Sequence, residues 1–128
     1  MKSLTVKQPW AWAIIAGKKP IENRSWSTAY RGRLVIVAGK SAVRSYIVDR
    51  EKFLRALCIT PPEHYFHGYA IGTVDLIDVV SVSEAHGPFA EGPYCWILRN
   101  PAPFRSPLPY QGHLSLREFV SPTQPLTW

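Results

Sequence analysis

The sequence predicts a single α+β domain in which a curved sheet of about five strands carries two main helices. Its 128 residues suit one domain, and 46% hydrophobic with 19% charged residues is typical of a folded globular chain. Strand-like and helix-like segments follow one another along the chain, and glycine or proline separates them. This composition argues against disorder of the chain as a whole.

The N-terminal quarter begins with a short β-branched and apolar run, Ser3–Val6, which predicts the first strand. Pro9 ends that strand because proline cannot donate to a ladder, and it suits the first turn of a helix. The spacing predicts this helix over Trp10–Ala16, with Gly17 as the residue after its C-terminus. Pro20 then favours extended geometry, so Lys19–Trp26 is expected to be a strand or an ordered loop.

The central part of the chain alternates a buried strand, a helix and a long strand. Gly32–Ala38 is a continuous apolar run, which predicts a strand buried on both faces. Ser41 can cap a helix that runs to about Leu57, because apolar residues recur there at helical spacing. Tyr69–Val82 predicts a long strand, in which Gly72 indicates a bulge or a close backbone approach.

The C-terminal part is rich in proline. A turn-rich segment, Glu84–Pro93, leads to a predicted strand at Tyr94–Arg99. The prolines between residues 101 and 109 predict an extended, edge-like stretch, because they cannot donate within a central strand. Leu114–Phe119 is expected to form a short helical turn. The domain is therefore expected to span residues 1–120, with a polar, proline-containing tail at 121–128.

Several functional classes are excluded or disfavoured because the sequence lacks the segments or residues that they need. No apolar run approaches the roughly 18 to 20 residues of a membrane-spanning helix, and the start lacks an apolar signal-peptide core. A cytoplasmic protein is expected. Cys58 and Cys95 are expected to be buried thiols, and neither belongs to a CxxC pair. His64 and His67 have no third ligand at metal-binding spacing, so neither a metal nor a cofactor is expected.

Positive charge is concentrated at one end of the chain. Residues 1–33 contain seven basic residues and one acid, whereas residues 34–128 contain eight of each. The net charge of +6 therefore resides entirely in the first quarter. Such a concentrated field favours contact with a polyanion, although a basic surface without a partner is also compatible with it.

Aromatic residues interleave with these cations. Single-stranded nucleic acid needs this combination, because cations hold phosphates and ring faces stack bases. Trp10 and Trp12 lie about 200° apart around a helix, so one is expected in the core and the other at a groove. Trp26 lies in a polar loop and is the better candidate for a ligand-facing ring. The predicted nucleic-acid-binding residues are Lys7, Gln8, Trp10, Lys19, Arg24, Trp26, Tyr30, Arg31 and Arg33.

The sharpest local pattern is Lys19-x-x-Glu22-x-Arg24. In an extended segment Glu22 and Arg24 point to one face, and Lys19 joins them only if the chain turns at Pro20. The pattern fits a Glu22–Arg24 ion pair that fixes the loop. It also fits a site in which Lys19 and Arg24 hold an oxyanion or phosphate and Glu22 accepts a proton.

The segments Leu4–Ala11, Gly17–Lys19 and Glu22–Trp26 together resemble an ASCH domain, a family named for homology to the activating signal cointegrator. Its signature is a strand, Gln-Pro-Trp/Tyr, a short helix and G-x-K-x-x-E-x-R, here Gly17, Lys19, Glu22 and Arg24. Further matches are Arg31–Arg33, Ile71–Val74, Trp96–Leu98 before Asn100-Pro101, and Pro107–Pro109 followed by Gln111-Gly112. The resemblance covers roughly residues 3–119.

The resemblance implies a PUA-like fold, a β-barrel of about five to six strands with two main helices packed on it, related to RNA-binding PUA, EVE and YTH domains. It also implies an RNA-binding cleft lined by the G-x-K-x-x-E-x-R segment. Some small bacterial members are similar to amidohydrolases that deacetylate N(4)-acetylcytidine, and ribonuclease activity has been attributed to others. In the amidohydrolase pattern a lysine aligns with Lys19, but a threonine stands where this chain has Glu22.

Two functional hypotheses follow. In the first, the basic and aromatic cleft binds RNA, another single-stranded nucleic acid or a nucleoside-type ligand. In the second, the same cleft is a small metal-independent nucleoside or RNA hydrolase with Lys19, Glu22 and Arg24 as its catalytic residues. The residues favour binding, because they do not reveal a nucleophile with a base and an orienting group. A basic face that serves an acidic protein partner is the third alternative.

Overall fold

The computed structural model of the protein describes residues 1–121, and 122–128 of the predicted tail lie outside the described residues. The elements in chain order are β1 (Lys2–Val6), α1 (Trp10–Ile15), β2 (Ile21–Arg24), β3 (Gly32–Ala38), α2 (Arg44–Ala56), β4 (Tyr69–Ser81), a short 3₁₀ turn (Val82–Glu84), β5 (Tyr94–Pro109) and β6 (Arg117–Glu118). Within this part of the chain, no helix is long and apolar enough to cross a membrane.

The six described strands form one mixed sheet with the order β2-β5-β4-β3-β1-β6. β1 runs parallel to β3, and every other neighbouring pair is antiparallel. The predicted α+β fold with two main helices is confirmed, with β6 as a strand beyond the expected five. Main-chain hydrogen bonds among the described residues do not join β2 to β1 or β6, so hydrogen bonds do not close the sheet into the expected barrel, and we call the gap between β2 and β1 the seam.

The main core lies between α1 and the sheet. Ala11, Ile14 and Ile15 of α1 pack with the buried apolar side chains of β1, β3, β4 and β5. Gly17 has a φ of +77° and follows the last helical turn, as its predicted position after the C-terminus requires. The β3 strand is almost entirely buried from Leu34 onward, which confirms the prediction of a strand covered on both faces.

Gly72 has both predicted features. The pairing of β4 changes register beside it, against β3 between Ile36 and Val37 and against β5 between Ala70 and Gly72. A Cβ at this position would lie 2.6 Å from the carbonyl oxygen of Ala102 and 3.0 Å from methyl groups of Ile15. Glycine is therefore required here by the close approach of β5 and α1 to the backbone of β4.

Two local predictions about helical structure are wrong. The segment Leu114–Phe119 is not a helical turn, because Arg117–Glu118 forms strand β6 and pairs with Lys2 and Ser3 of β1. Long-range strand pairing overrides the local preference there. Helix α2 begins at Arg44 after an extended Val43, and no side chain caps it, so Ser41 is not its N-cap.

The proline-rich stretch continues β5 without a break. Residues 94–97 of this strand pair with both β2 and β4, whereas the part from Arg99 to Pro109 pairs with β4 alone. The prediction of an extended, edge-like stretch is confirmed. The edge of β5 that has no partner strand accepts proline, because no hydrogen bond is needed there from the amide hydrogen that proline lacks.

Candidate functional site

An open cleft of about 1520 Å³ lies along the seam of the sheet. Its walls are the C-terminal end of β1, strand β2, one face of α2 and the segment that follows β5. Among the described residues, five cationic side chains line it against two carboxylates. The cations are Lys7, Lys19, Arg24, Lys40 and Arg50, and the carboxylates are Glu22 and Glu91.

The floor of the cleft holds a buried group of three charges. Nζ of Lys19 lies 3.1 Å from Oε1 of Glu22, and Nε of Arg24 lies 3.0 Å from Oε2 of the same carboxylate. The side chains of Lys19 and Glu22 are only 3% and 8% exposed. The chain does turn at Pro20, so all three residues meet on one face. Buried charges of this kind require partners, and each cation here shares the one carboxylate.

Arg24 also spans the open seam. Its Nη2 donates a hydrogen bond of 2.6 Å to the carbonyl oxygen of Thr5 on β1, where no strand pairs with that edge. The Nε of Arg24 is close to Glu22 but makes no hydrogen bond of good geometry with it, so that contact is electrostatic. Arg24 therefore connects β2 to β1 across the gap that main-chain bonds leave open.

The ammonium group of Lys19 is buried and makes its contacts with other groups of the protein. It donates to the carbonyl oxygen of Ile21 as well as to Glu22. It also lies 5.3 Å from the ring centroid of Trp10 and 5.9 Å from that of Phe89, within cation–π range. Lys19 thus orders the aromatic floor of the cleft.

Helix α2 supplies a wall that the sequence analysis did not identify. Tyr46, Arg50 and Phe53 follow at spacings of four and three residues, so they share one helix face, and all three line the cleft. The Arg50 guanidinium lies 3.6 Å from the centroid of the Tyr46 ring, and Nζ of Lys7 lies 5.1 Å from the same ring. The sequence does carry a signal for this wall, because Arg50 lies between two aromatic residues at helical spacing.

The two tryptophans of α1 differ in their access to the cleft. Trp10 lines the cleft, as does Trp26, and each is half-buried. Trp12 is not part of the cleft lining, although it and Trp10 both pack against the buried cluster around Leu54. The Trp26 ring stands edge-on to Trp96 with centroids 4.9 Å apart, which fixes its orientation. The cleft therefore presents the rings of Trp10 and Trp26 together with the cations Lys7 and Arg50 in one lining.

Four of the predicted nucleic-acid-binding residues lie outside the cleft lining. Gln8 is buried and bridges Phe66 and Trp12 through its side-chain amide. The Tyr30 hydroxyl donates to the carbonyl oxygen of Arg33. Arg33 pairs with Asp75 at 3.0 Å, and exposed Arg31 lies 3.6 Å from Asp78. The Asn100 amide and the Arg33 guanidinium both lower the pKa of Asp75.

The last residue of β5, Pro109, and the segment after it form the remaining wall, which runs to Ser115. The main-chain N–H of His113 donates to the hydroxyl of Thr5, and its ring Nε2 lies 2.8 Å from the hydroxyl of buried Ser3. The sequence gives no sign of this position of His113, since nothing local connects it to β1. No group of three or more His, Cys, Asp or Glu side chains in residues 1–121 could hold a metal.

Comparison with known proteins places this geometry in context. The family model for the ASCH domain matches residues 4–112. Activating signal cointegrator 1 from Homo sapiens and from Mus musculus are each 32% identical to the chain over 120 residues. These alignments cover 86% of this chain but only 21% of either relative, so the chain spans about a fifth of their length.

Solved structures share the fold. The crystal structure of ASCH from Zymomonas mobilis matches with a TM-score of 0.59 and 20% identity, covering 98% of this chain and 92% of that one. A variant of the same Zymomonas mobilis protein matches with a TM-score of 0.57 and 19% identity, again over 98% of this chain and 92% of the other. At this identity the likeness concerns the fold alone.

Proposed function

Because this chain belongs to the ASCH domain family and has its PUA-like fold, we propose that the cleft binds RNA as unpaired nucleotides. The observation that carries the proposal is the convergence of cations and ring faces from separate elements in one cleft. Phosphate contacts provide affinity, whereas stacked bases are held by aromatic faces.

The cations at the rim are available for phosphate. Lys7 and Lys40 are exposed, and Arg50 is half-buried against Tyr46. Among the described residues, none of the three forms an ion pair with an acidic side chain, whereas Lys19 and Arg24 on the floor both pair with Glu22. A guanidinium that already stacks on an aromatic ring loses little side-chain freedom when it meets an anion. These three side chains are therefore the proposed phosphate ligands.

The size of the cleft favours more than a single nucleoside. Its volume of about 1520 Å³ exceeds the roughly 300–1,000 Å³ of sites for drug-sized ligands. Trp26 and Trp10 provide separate ring surfaces within it. We expect a short run of nucleotides, with bases on the tryptophan side and phosphates on the side of Lys7, Lys40 and Arg50.

We expect the affinity for a labelled single-stranded RNA to fall with salt at a log–log slope of about −2 to −3, as for three to four phosphate contacts. Arg50→Gln should weaken binding about tenfold and reduce the magnitude of that slope by about 0.7. The measurement is fluorescence anisotropy over a salt series. Arg55→Gln is the matched control, because Arg55 is exposed on the same helix outside the cleft lining. Equal losses in both variants, or a salt-independent affinity, would contradict the proposal.

A hydrolase is the second candidate, and the buried Lys19–Glu22 pair is the observation that favours it. The pair would stabilise an oxyanion and move a proton, with Arg24 beside it. Incubation with nucleosides that include N(4)-acetylcytidine, read by mass spectrometry, should then show loss of the acetyl group without added metal. A Lys19→Ala variant that is folded by circular dichroism should be inactive. Turnover that survives in this variant excludes the catalytic role of Lys19.

A further inference from the structure

Leu114 is the most exposed large apolar side chain among the described residues, at 85% exposure. It lines the mouth of the cleft, in the wall formed by the segment after β5. A single exposed leucine is ordinary on a protein surface, so exposure alone carries no argument. What distinguishes Leu114 is its position at the cleft and the anchoring of its neighbours.

The chain on both sides of Leu114 is held to the body of the domain. On one side, His113 bonds to Thr5 through its main-chain N–H and to Ser3 through its ring. On the other side, Ser115 has a φ of +58°, and Leu116 packs against the main core. Leu114 is therefore at the tip of a bend that its neighbours fix in place.

Leu114 also differs chemically from the rim around it. The neighbouring cleft walls present cations, the proposed ligands of the RNA backbone, and aromatic rings, the proposed platforms for bases. An apolar side chain fixed at the entrance meets the part of a nucleic acid that is apolar, which is the face of a stacked base. Leucine is one of the apolar side chains that proteins insert between base steps of a duplex, where it partly unstacks them.

We infer that Leu114 is a wedge that inserts into a base stack of paired RNA while the displaced nucleotide enters the cleft. This inference rests on the proposed RNA-binding function and extends it to a substrate class, namely RNA whose target base starts in a stack or pair. Removing a base from its stack costs a few kcal/mol, least at a mismatch. The leucine offsets part of this cost by covering the exposed faces of the neighbouring bases.

The test compares two RNAs of the same sequence, a hairpin with a mismatch in its stem and the unpaired strand. Leu114→Ala should weaken hairpin binding about tenfold, as expected for the loss of a buried leucine side chain, and weaken binding of the unpaired strand much less. Leu114→Met, which keeps an apolar side chain of similar length, should bind both RNAs like the wild type. Val120→Ala is the control, because Val120 is 64% exposed and lies outside the cleft lining.

Base opening gives a second readout. The imino proton resonance of a pair beside the mismatch should disappear when the wild-type protein binds the hairpin and remain when Leu114→Ala binds it. Wild-type protein that binds the unpaired strand but not the hairpin overturns the wedge and leaves the proposed function intact. So does equal hairpin affinity in the wild type and Leu114→Ala. Binding of neither RNA by the wild type overturns both.

Discussion

Glu22→Gln is expected to reduce the free energy of unfolding by about 3–5 kcal/mol, the cost of breaking a buried ion pair from one side. The substitution keeps the size of the side chain but removes the only carboxylate that Lys19 and Arg24 share among the described residues. Lys19 is 3% exposed and would then hold a buried charge without a counter-charge. Urea denaturation, with the slope checked against that of the wild type, measures the loss.

Two comparisons identify the cause of this loss. Glu91→Gln changes an exposed carboxylate in the same cleft and should alter stability by less than about 0.5 kcal/mol. The double variant Lys19→Met/Glu22→Leu removes the two most buried charges together and leaves Arg24, whose side chain is 22% exposed and still donates to Thr5. It should recover most of the stability lost by Glu22→Gln, because hydrophobic replacement of a buried pair is often neutral. A double variant as unstable as the single one would show that the pair acts through packing.

Trp96→Ala is expected to reduce the free energy of unfolding by about 3–5 kcal/mol. Trp96 is the largest fully buried side chain among residues 1–121 and belongs to the main core. Since domains of this size are stable by about 5–15 kcal/mol, the variant should melt far below the wild type in a thermal scan followed by circular dichroism. Trp96→Phe, which fills most of the space, keeps the protein folded for comparison.

The neighbouring tryptophan provides a contrast that separates folding from binding. Trp26 is half-buried, and its carbonyl oxygen accepts a 3.3 Å hydrogen bond from the Trp96 indole. Trp26→Ala should lose less stability than Trp96→Ala but should lose RNA affinity, since stacking contributes about 1–3 kcal/mol per base. If Trp26→Ala binds RNA like the wild type, the ring is part of the core and not of the proposed interface.

The sequence alone was sufficient for the elements whose signals are local. The apolar run of β3 and the Pro9-to-Gly17 bounds of α1 follow from periodicity and from residues with restricted or permissive backbones. Gly72 in a strand pattern predicts a bulge or a close backbone approach without any knowledge of its neighbours Ala102 and Ile15. The Lys19-x-x-Glu22-x-Arg24 pattern placed Glu22 and Arg24 on one face but left open whether Lys19 joins them, and only the turn at Pro20 decides that it does.

The tertiary structure decided which side chains share a surface. Sequence position grouped Arg31 and Arg33 with the other early cations, but they follow the bend into β3 and pair with Asp78 and Asp75. Conversely, Arg50 and His113 are distant from the first quarter of the chain, and they line the same cleft as Thr5 and Glu22 only because of tertiary packing. Local patterns determine where an element begins and which of its faces is apolar. Contacts between distant segments determine what lies opposite that face, and the cleft consists almost entirely of such contacts.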